Sequence, residues 1–318
     1  MRTALWVGAA ALPIAVTLWG PPMAVDIAFR ACALVMLAVS WNMMAGAGLI
    51  SLGHSGFWGL GSYAAILVAN DFGFPFWLSL LPAMLCGALV GAGLALVTRR
   101  LRGIYFAIST LAMSEGLRVI AVMLPDLTGG SNGVYLDSSL SPGMLAVELL
   151  ACAGAIGAVA VAYAVARSRY HFALRAMRDN EAASQMLGVA PARFRLGILA
   201  VSGAIASLAG AINVWYGGYL DPEVAFDLQT TINAQIAAIL GGIYTLPGPV
   251  VGAVTTIALG EITRLLLGNT VGGSLLVFGL VLVIVVLLLP YGLWGFVERQ
   301  RRRPRRAAAR LEISEARQ

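Results

Sequence analysis

The chain is almost continuously apolar, and that leaves few folds open to it. Apolar runs recur at 4–20, 27–48, 54–70, 76–97, 104–124, 144–165, 196–217, 231–245, 249–267 and 274–290. Most are close to the ~20 residues that a helix needs to cross a hydrocarbon core. A bilayer offers the backbone no hydrogen-bond partners, so a chain that crosses it repeatedly in such runs does so as helices. Only 11% of the residues are charged, against about 25% in a soluble domain. The expected fold class is therefore all-α: a polytopic helical integral membrane protein with about ten (roughly 8–10) transmembrane segments. Residues 1–297 form the transmembrane domain, and 298–318 a basic tail.

Arginine placement sets the orientation, because cytoplasmic connections carry the positive charge. Arg99, Arg100 and Arg102 mark one such connection, residues 166–195 a second, and the tail from Arg299 to Arg317 a third. Two runs separate the first pair of connections and four the second, so the parity is consistent. The opposite loops carry acids and no arginine: Asp71, Asp126 and Asp137, then Asp221, Glu223 and Asp227. Both termini are then cytoplasmic, in a multi-pass membrane protein. Met1 to Pro22 has the look of a signal peptide but is followed at once by another run, and it reads as an uncleaved first helix. The net charge of +6 follows from this arginine asymmetry and does not point to nucleic acid.

All 21 basic residues are arginine. A P-loop requires lysine, so the chain cannot hold its own ATP-binding loop, and lysine Schiff-base chemistry is excluded too. Cys32, Cys86 and Cys152 sit singly in apolar runs and read as small apolar residues, with no metal spacing. No resident metal or cofactor is expected. Gly53-His54-Ser55-Gly56 contains a Gly-x-Ser-Gly, but the one other histidine, His171, lies in a cytoplasmic loop. With no base placed for Ser55, no catalytic residue is assigned and an enzyme is not expected. His54 and Ser55 read instead as polar groups that line or cap a broken helix.

Two runs are wrong for simple spans. The stretch before and into 54–70 carries Gly46, Gly48, Gly53, Gly56, Gly59 and Gly61, which are expected to break a regular helix. Run 231–245 is short and enters Tyr244-Thr-Leu-Pro-Gly-Pro249. Paired interrupted segments point to a transport pathway, whereas Gly87-x-x-x-Gly91 reads as a close helix crossing. Uncharged hydrogen-bonding residues near the breaks make the candidate substrate pathway: Asn42, Ser51, His54, Ser55, Ser109, Thr110 and Asn233. A candidate repeat aligns 107–118 with 253–264, and both segments are followed by Gly-Gly-Ser, at 129–131 and 272–274. It brings Glu115/Arg118 and Glu261/Arg264 to equivalent places as intramembrane ion pairs spaced i, i+3. These either lock helices together or take part in gating.

The longest polar interruption, Arg167 to Arg195, carries six arginines. Phe172 to Leu187 is expected to be one helix, stopped by Gly188 with Pro191 preventing continuation. Within it, Glu181-Ala182-Ala183 followed by Gly188 resembles the EAA loop of ABC importer permeases, and the spacing to the glycine resembles the branched-chain amino acid (LivM-type) branch. The resemblance runs over about 35–297 and includes Ser40-Trp-Asn42, Leu49-Ile-Ser-Leu-Gly-His-Ser-Gly-Phe57, Arg102-Gly-Ile-Tyr-Phe-Ala107, Leu127-Thr-Gly-Gly-Ser-Asn-Gly133, Ala173-Leu-Arg-Ala-Met-Arg-Asp-Asn-Glu181, Leu240-Gly-Gly242 and Gly248-Pro249. Tyr244 departs from it, since the family usually keeps glycine there.

The resemblance implies the permease subunit of an ATP-driven importer that moves leucine, isoleucine or valine by alternating access. Urea and short-chain amide permeases of the same family are the alternative, and a stand-alone secondary transporter is a more distant one. It implies a heterodimer with a related permease, two cytoplasmic ATPase subunits that bind ATP and magnesium, and a periplasmic substrate-binding protein. The ATPase-coupling residues would be Arg175, Arg178, Asp179, Glu181, Ala182, Ala183 and Gly188. The acidic stretch Asp221 to Asp227 is a candidate dock for the binding protein.

Overall fold

The computed structural model describes residues 13–140, 142–267 and short pieces between 276 and 296. Most of run 4–20, much of run 274–290, the Gly-Gly-Ser at 272–274 and the basic tail lie outside the described residues. Residues 13–19 are helical. Ten longer helical segments follow: α1 (Pro22–Gly46), α2 (His54–Phe72), α3 (Phe76–Val97), α4 (Ile104–Met123), α5 (Met144–Arg167), α6 (Arg169–Asp179), α7 (Glu181–Met186), α8 (Pro191–Gly217), α9 (Leu228–Gly242) and α10 (Gly248–Leu267).

Prolines and glycines set the boundaries as their backbone chemistry demands. Pro22 and Pro191 occupy first-turn positions, where a missing N–H costs nothing. Pro191, expected only to stop a helix, thus also opens the next. Gly73 and Gly218 end α2 and α8 in the left-handed conformation.

Six helices among the described residues are long and apolar enough to cross a bilayer: α1, α3, α4, α5, α8 and α10. Of the expected spans that are fully described, α2 and α9 fall outside this set; α9 has only 15 residues. They are the two segments marked in the sequence as unfit for simple spans.

Helix α8 is the centre of the bundle, with 67% of its apolar window buried. It can be so deeply enclosed because its neighbours approach at glycine. A Cβ on Gly87 or Gly91 would overlap the carbonyls of Gly203 or Leu199, and one on Gly61 that of Ser207. Without a hydrophobic drive inside the membrane, such close backbone packing holds helices together. It also corrects one expectation. The glycine-rich stretch breaks the helix only at residues 47–53, while Gly56, Gly59 and Gly61 lie inside regular α2. There they admit Ser114, Phe226 and Ser207.

The expected single helix over 172–187 is two helices. Asn180 (φ −161°) breaks it, and its side chain accepts a hydrogen bond from Ala183 N at 3.0 Å to start α7. Asparagine competes with the helix for backbone donors and is at home at an N-cap.

On the face opposite the arginine-rich loops, β1 (Val134–Tyr135) pairs antiparallel with β2 (Tyr219–Leu220). Asn70 ties α2 to this ribbon by donating to Tyr135 O at 2.9 Å and accepting from Asp137 N at 3.1 Å.

Candidate functional site

The backbone of residues 47–53 has left its helix, so its polar groups need other partners. Neighbouring helices supply them. Trp41 Nε1 and Gln235 Nε2 both donate to Ser51 O at 2.9 Å, and Leu52 N donates to Thr110 Oγ1 at 2.9 Å. At the restart of the helix, Ser55 N donates to Thr231 Oγ1 at 2.8 Å, and Ser55 Oγ lies 3.0 Å from Ser114 Oγ. The N-terminal ends of α2 and α9 thus converge on a buried hydroxyl cluster against the middle of α4.

His54 is fully buried. Its Nε2 lies 2.9 Å from Ser40 Oγ and 3.4 Å from Ser202 Oγ. Both hydroxyls donate elsewhere, to Leu37 O and Ser40 O, so the network assigns the proton to Nε2. The ring is held by Ser40 and Ser202 and does not activate Ser55.

The second interruption, residues 243–247, joins α9 to α10. Tyr244 is the one non-glycine residue with positive φ (66°) among the described residues. Asn42 clamps it: Tyr244 N donates to Asn42 Oδ1 at 2.9 Å, and Asn42 Nδ2 donates to Thr245 O at 3.1 Å. Thr245 Oγ1 accepts from Gly248 N at 3.1 Å and so starts α10.

Of the seven pathway candidates, Ser51, Ser55 and Thr110 therefore meet at the first interruption, with His54 buried beside them, and Asn42 holds the second. Ser109 bonds back to Tyr105 O of its own helix, and Asn233 accepts from Gln229 one turn away; neither joins the network. Ser40, Ser114, Ser202, Thr231 and Gln235 were missed, since a lone hydroxyl or amide in an apolar helix carries no sequence signature until its partner is known.

Helices α6 and α7 lie beneath both interruptions. Ala173, Leu174 and Met177 are buried against the spans. Arg178 approaches Gly48 closely and sets its guanidinium 4.2 Å from the centroid of the Tyr244 ring. Glu181 points inward as well: its Oε2 lies 2.8 Å from Arg195 Nη2 and 3.1 Å from Arg102 Nε. Arg195 continues to Leu101 O at 2.9 Å. One carboxylate thereby ties the loop to the foot of α8 and to the α3–α4 connection.

The coupling candidates divide accordingly. Arg178 and Glu181 brace the loop from within, while Arg175, Asp179, Ala182, Ala183 and Gly188 are exposed. The most exposed apolar side chains of the loop are Phe172 at 74%, Met186 at 91% and Leu187 at 82%.

The two ion pairs also differ. Glu261 Oε2 lies 2.8 Å from Arg264, and Glu261 Oε1 lies 2.6 Å from Arg30, which in turn pairs with Asp26 at 2.6 Å. Among the described residues Glu115 bonds only to Arg118, which also feels the charge of Glu223. Asp221 and Asp227 cap Val224 N and Gln229 N, leaving Glu223 as the freer acid of that loop. Among the described residues no three His, Cys, Asp or Glu side chains gather as metal ligands.

Known proteins share this arrangement of sequence. The model of the branched-chain amino acid transport system permease component matches residues 23–286. The chain belongs to this permease family. A high-affinity branched-chain amino acid transport system permease protein, LivM of Salmonella typhimurium, is 27% identical over 299 residues, covering 85% of this chain and 69% of the relative. The LivH protein of Escherichia coli, named for the same kind of system, is 25% identical over 288 residues, covering 82% and 90%. LsrC of Enterobacter, an autoinducer 2 import system permease, is 31% identical over 190 residues, covering 58% and 53%. No solved structure matches the chain significantly. The molecule is thus a multi-pass membrane permease, a transport subunit of the ABC importer class rather than an enzyme.

Proposed function

We propose that this permease imports branched-chain amino acids across the bacterial inner membrane, driven by two separate ATPase subunits that dock on α6 and α7. A related permease would complete the pathway, and a periplasmic binding protein would deliver the substrate. The observation that carries the reading is the bracing of the 166–195 loop. It reaches the first interruption through Gly48, the second through Tyr244, and the foot of α8 through Glu181 and Arg195.

A partner that displaces this loop moves the ends of both interrupted segments together. Because the interruptions are held by side-chain hydrogen bonds rather than a helical ladder, they can exchange partners without unwinding a span. The hydroxyls of Ser51, Ser55 and Thr110, with Ser114 and Thr231, offer donors and acceptors without net charge. That suits passage of a zwitterion with an aliphatic side chain. The converging N-terminal ends of α2 and α9 favour its carboxylate.

The outward face of the loop, with Phe172, Met186 and Leu187, is the part left for the ATPase. A Leu187→Asp/Met186→Asp double variant should abolish ATPase co-purification while the permease still inserts and binds its permease partner. Retention of the ATPases would refute this docking face. Proteoliposomes holding the whole complex should take up labelled leucine only with ATP inside the compartment facing the ATPases. Uptake of urea or acetamide in place of leucine would redirect the substrate reading, and uptake by this chain alone would replace it with secondary transport.

A further inference from the structure

Two helices of this protein turn long stripes of side chains outward, and the stripes differ in kind. On α3 the stripe is Trp77, Leu81, Leu85, Leu89 and Leu96, each about 60% exposed. Such a stripe is what lipid tails solvate. On α4 the outward face carries Ile108, Ala112, Glu115, Gly116 and Val119. Here a carboxylate stands twelfth in a helix of 20 residues, so about 16 Å of helix precedes it. Its side chain is 56% exposed, and that of its partner Arg118 is 32% exposed.

The charges cancel, but a paired dipole at mid-span still needs polar company, and intramembrane charges face a protein interior or water rather than lipid. Snorkelling cannot remove Glu115, whose carboxylate is held by Arg118 one turn further along the same helix. Glu223 acts on Arg118 without bonding it among the described residues, whereas the contrasting pair, Glu261 and Arg264, is joined directly by Arg30, itself paired with Asp26.

We infer that the Ala112–Glu115–Gly116 face of α4 is the seam at which the second, related permease packs. This rests on the heterodimer proposed above. The ATPases and the binding protein are aqueous and cannot reach mid-membrane, so the occupant must itself span. Ala112 and Gly116 form a small-x-x-x-small step, and a Cβ on Gly116 would meet nothing within 4 Å. That leaves room for a partner helix at close approach. The opposite face of α4, with Thr110 and Ser114, supports the first interruption. One helix therefore connects the seam to the candidate pathway.

The test is photo-cross-linking in the assembled complex, after Cys32→Ala, Cys86→Ala and Cys152→Ala replacements and confirmation that the ATPases still co-purify. Benzophenone maleimide is attached to single cysteines at Ile108→Cys or Ala112→Cys, and to Leu85→Cys or Leu89→Cys as lipid-facing counterparts. The expected result is an adduct with the combined mass of the two permeases from Ile108→Cys and Ala112→Cys, at least tenfold above the α3 sites. Equal adducts from both helices, or adducts joining two copies of this chain, would overturn the seam. If the purified complex holds no second permease at all, the heterodimer reading itself falls. As a second readout, Glu115→Leu with Arg118→Leu should lose the second permease while retaining the ATPases. A lipid-facing pair would instead tolerate the change.

Discussion

Glu181, a coupling candidate from its sequence motif, has partners within the chain that the motif does not announce. Its place in the Glu-Ala-Ala motif was legible, but its carboxylate turns inward to Arg195 and Arg102. The partners come from the α3–α4 connection and the foot of α8, distant in sequence, and nothing in the local pattern announces them. With Arg195 only 6% exposed in its side chain, removing the carboxylate leaves a nearly buried cation without its counter-ion. Breaking such a pair costs about 3 kcal/mol. Glu181→Gln should therefore lower the melting temperature of the purified permease clearly, while Arg175→Gln, at an exposed pair worth under ~1 kcal/mol, should not. Equal melting of the two variants would show that the inward network carries no load. Tyr244 is the complementary case. Its departure from glycine was visible in the sequence, but the Arg178 guanidinium that meets its ring could not be foreseen. A tyrosine held at φ 66° is costly enough to demand such support.

At the scale of elements, the helices were legible because their ends are written in proline, glycine and polar caps. The two interrupted segments were legible for the same reason. The packing role of the glycines within α2 was not, since one residue type both breaks helices and lets them touch. The choice depends on what lies opposite. Gly61 faces the backbone of Ser207, whereas Gly157 on α5 faces open space. Gly61→Val should therefore sharply reduce the yield of folded permease in detergent, and Gly157→Ala should keep it, with a gain of up to about 1 kcal/mol from helix propensity. Normal yield and melting for Gly61→Val would contradict the close α2–α8 crossing. The split of the coupling loop at Asn180 belongs here too: helical composition continues through it, and only the capping bond to Ala183 N decides against a single helix.

For the molecule as a whole, arginine asymmetry and the parity of the runs lead to a consistent topology. The arginine-rich loop lies on the side where α1 ends at Gly46 and α9 at Gly242. The lysine-free composition leaves no P-loop in this chain, and under the proposed function an ATPase docked on the loop would act along one path. That path runs from the exposed face of α6 and α7, through Arg178 and Glu181, to the interruptions that hold the candidate pathway. What composition could not locate was the buried hydroxyl cluster of the candidate pathway, because its members take their meaning from helices brought together only by folding. The central claim is that movement of the loop reaches the spans through the Arg178–Tyr244 contact. It is tested most directly by the ratio of leucine transported to ATP hydrolysed in proteoliposomes carrying Tyr244→Leu, with Tyr244→Phe as reference. A cation–π contact of about 0.5–1 kcal/mol predicts that Tyr244→Leu keeps its ATPases and their hydrolysis but delivers roughly two- to fivefold less leucine per ATP, while Tyr244→Phe matches the native protein. An unchanged ratio in Tyr244→Leu would contradict the account.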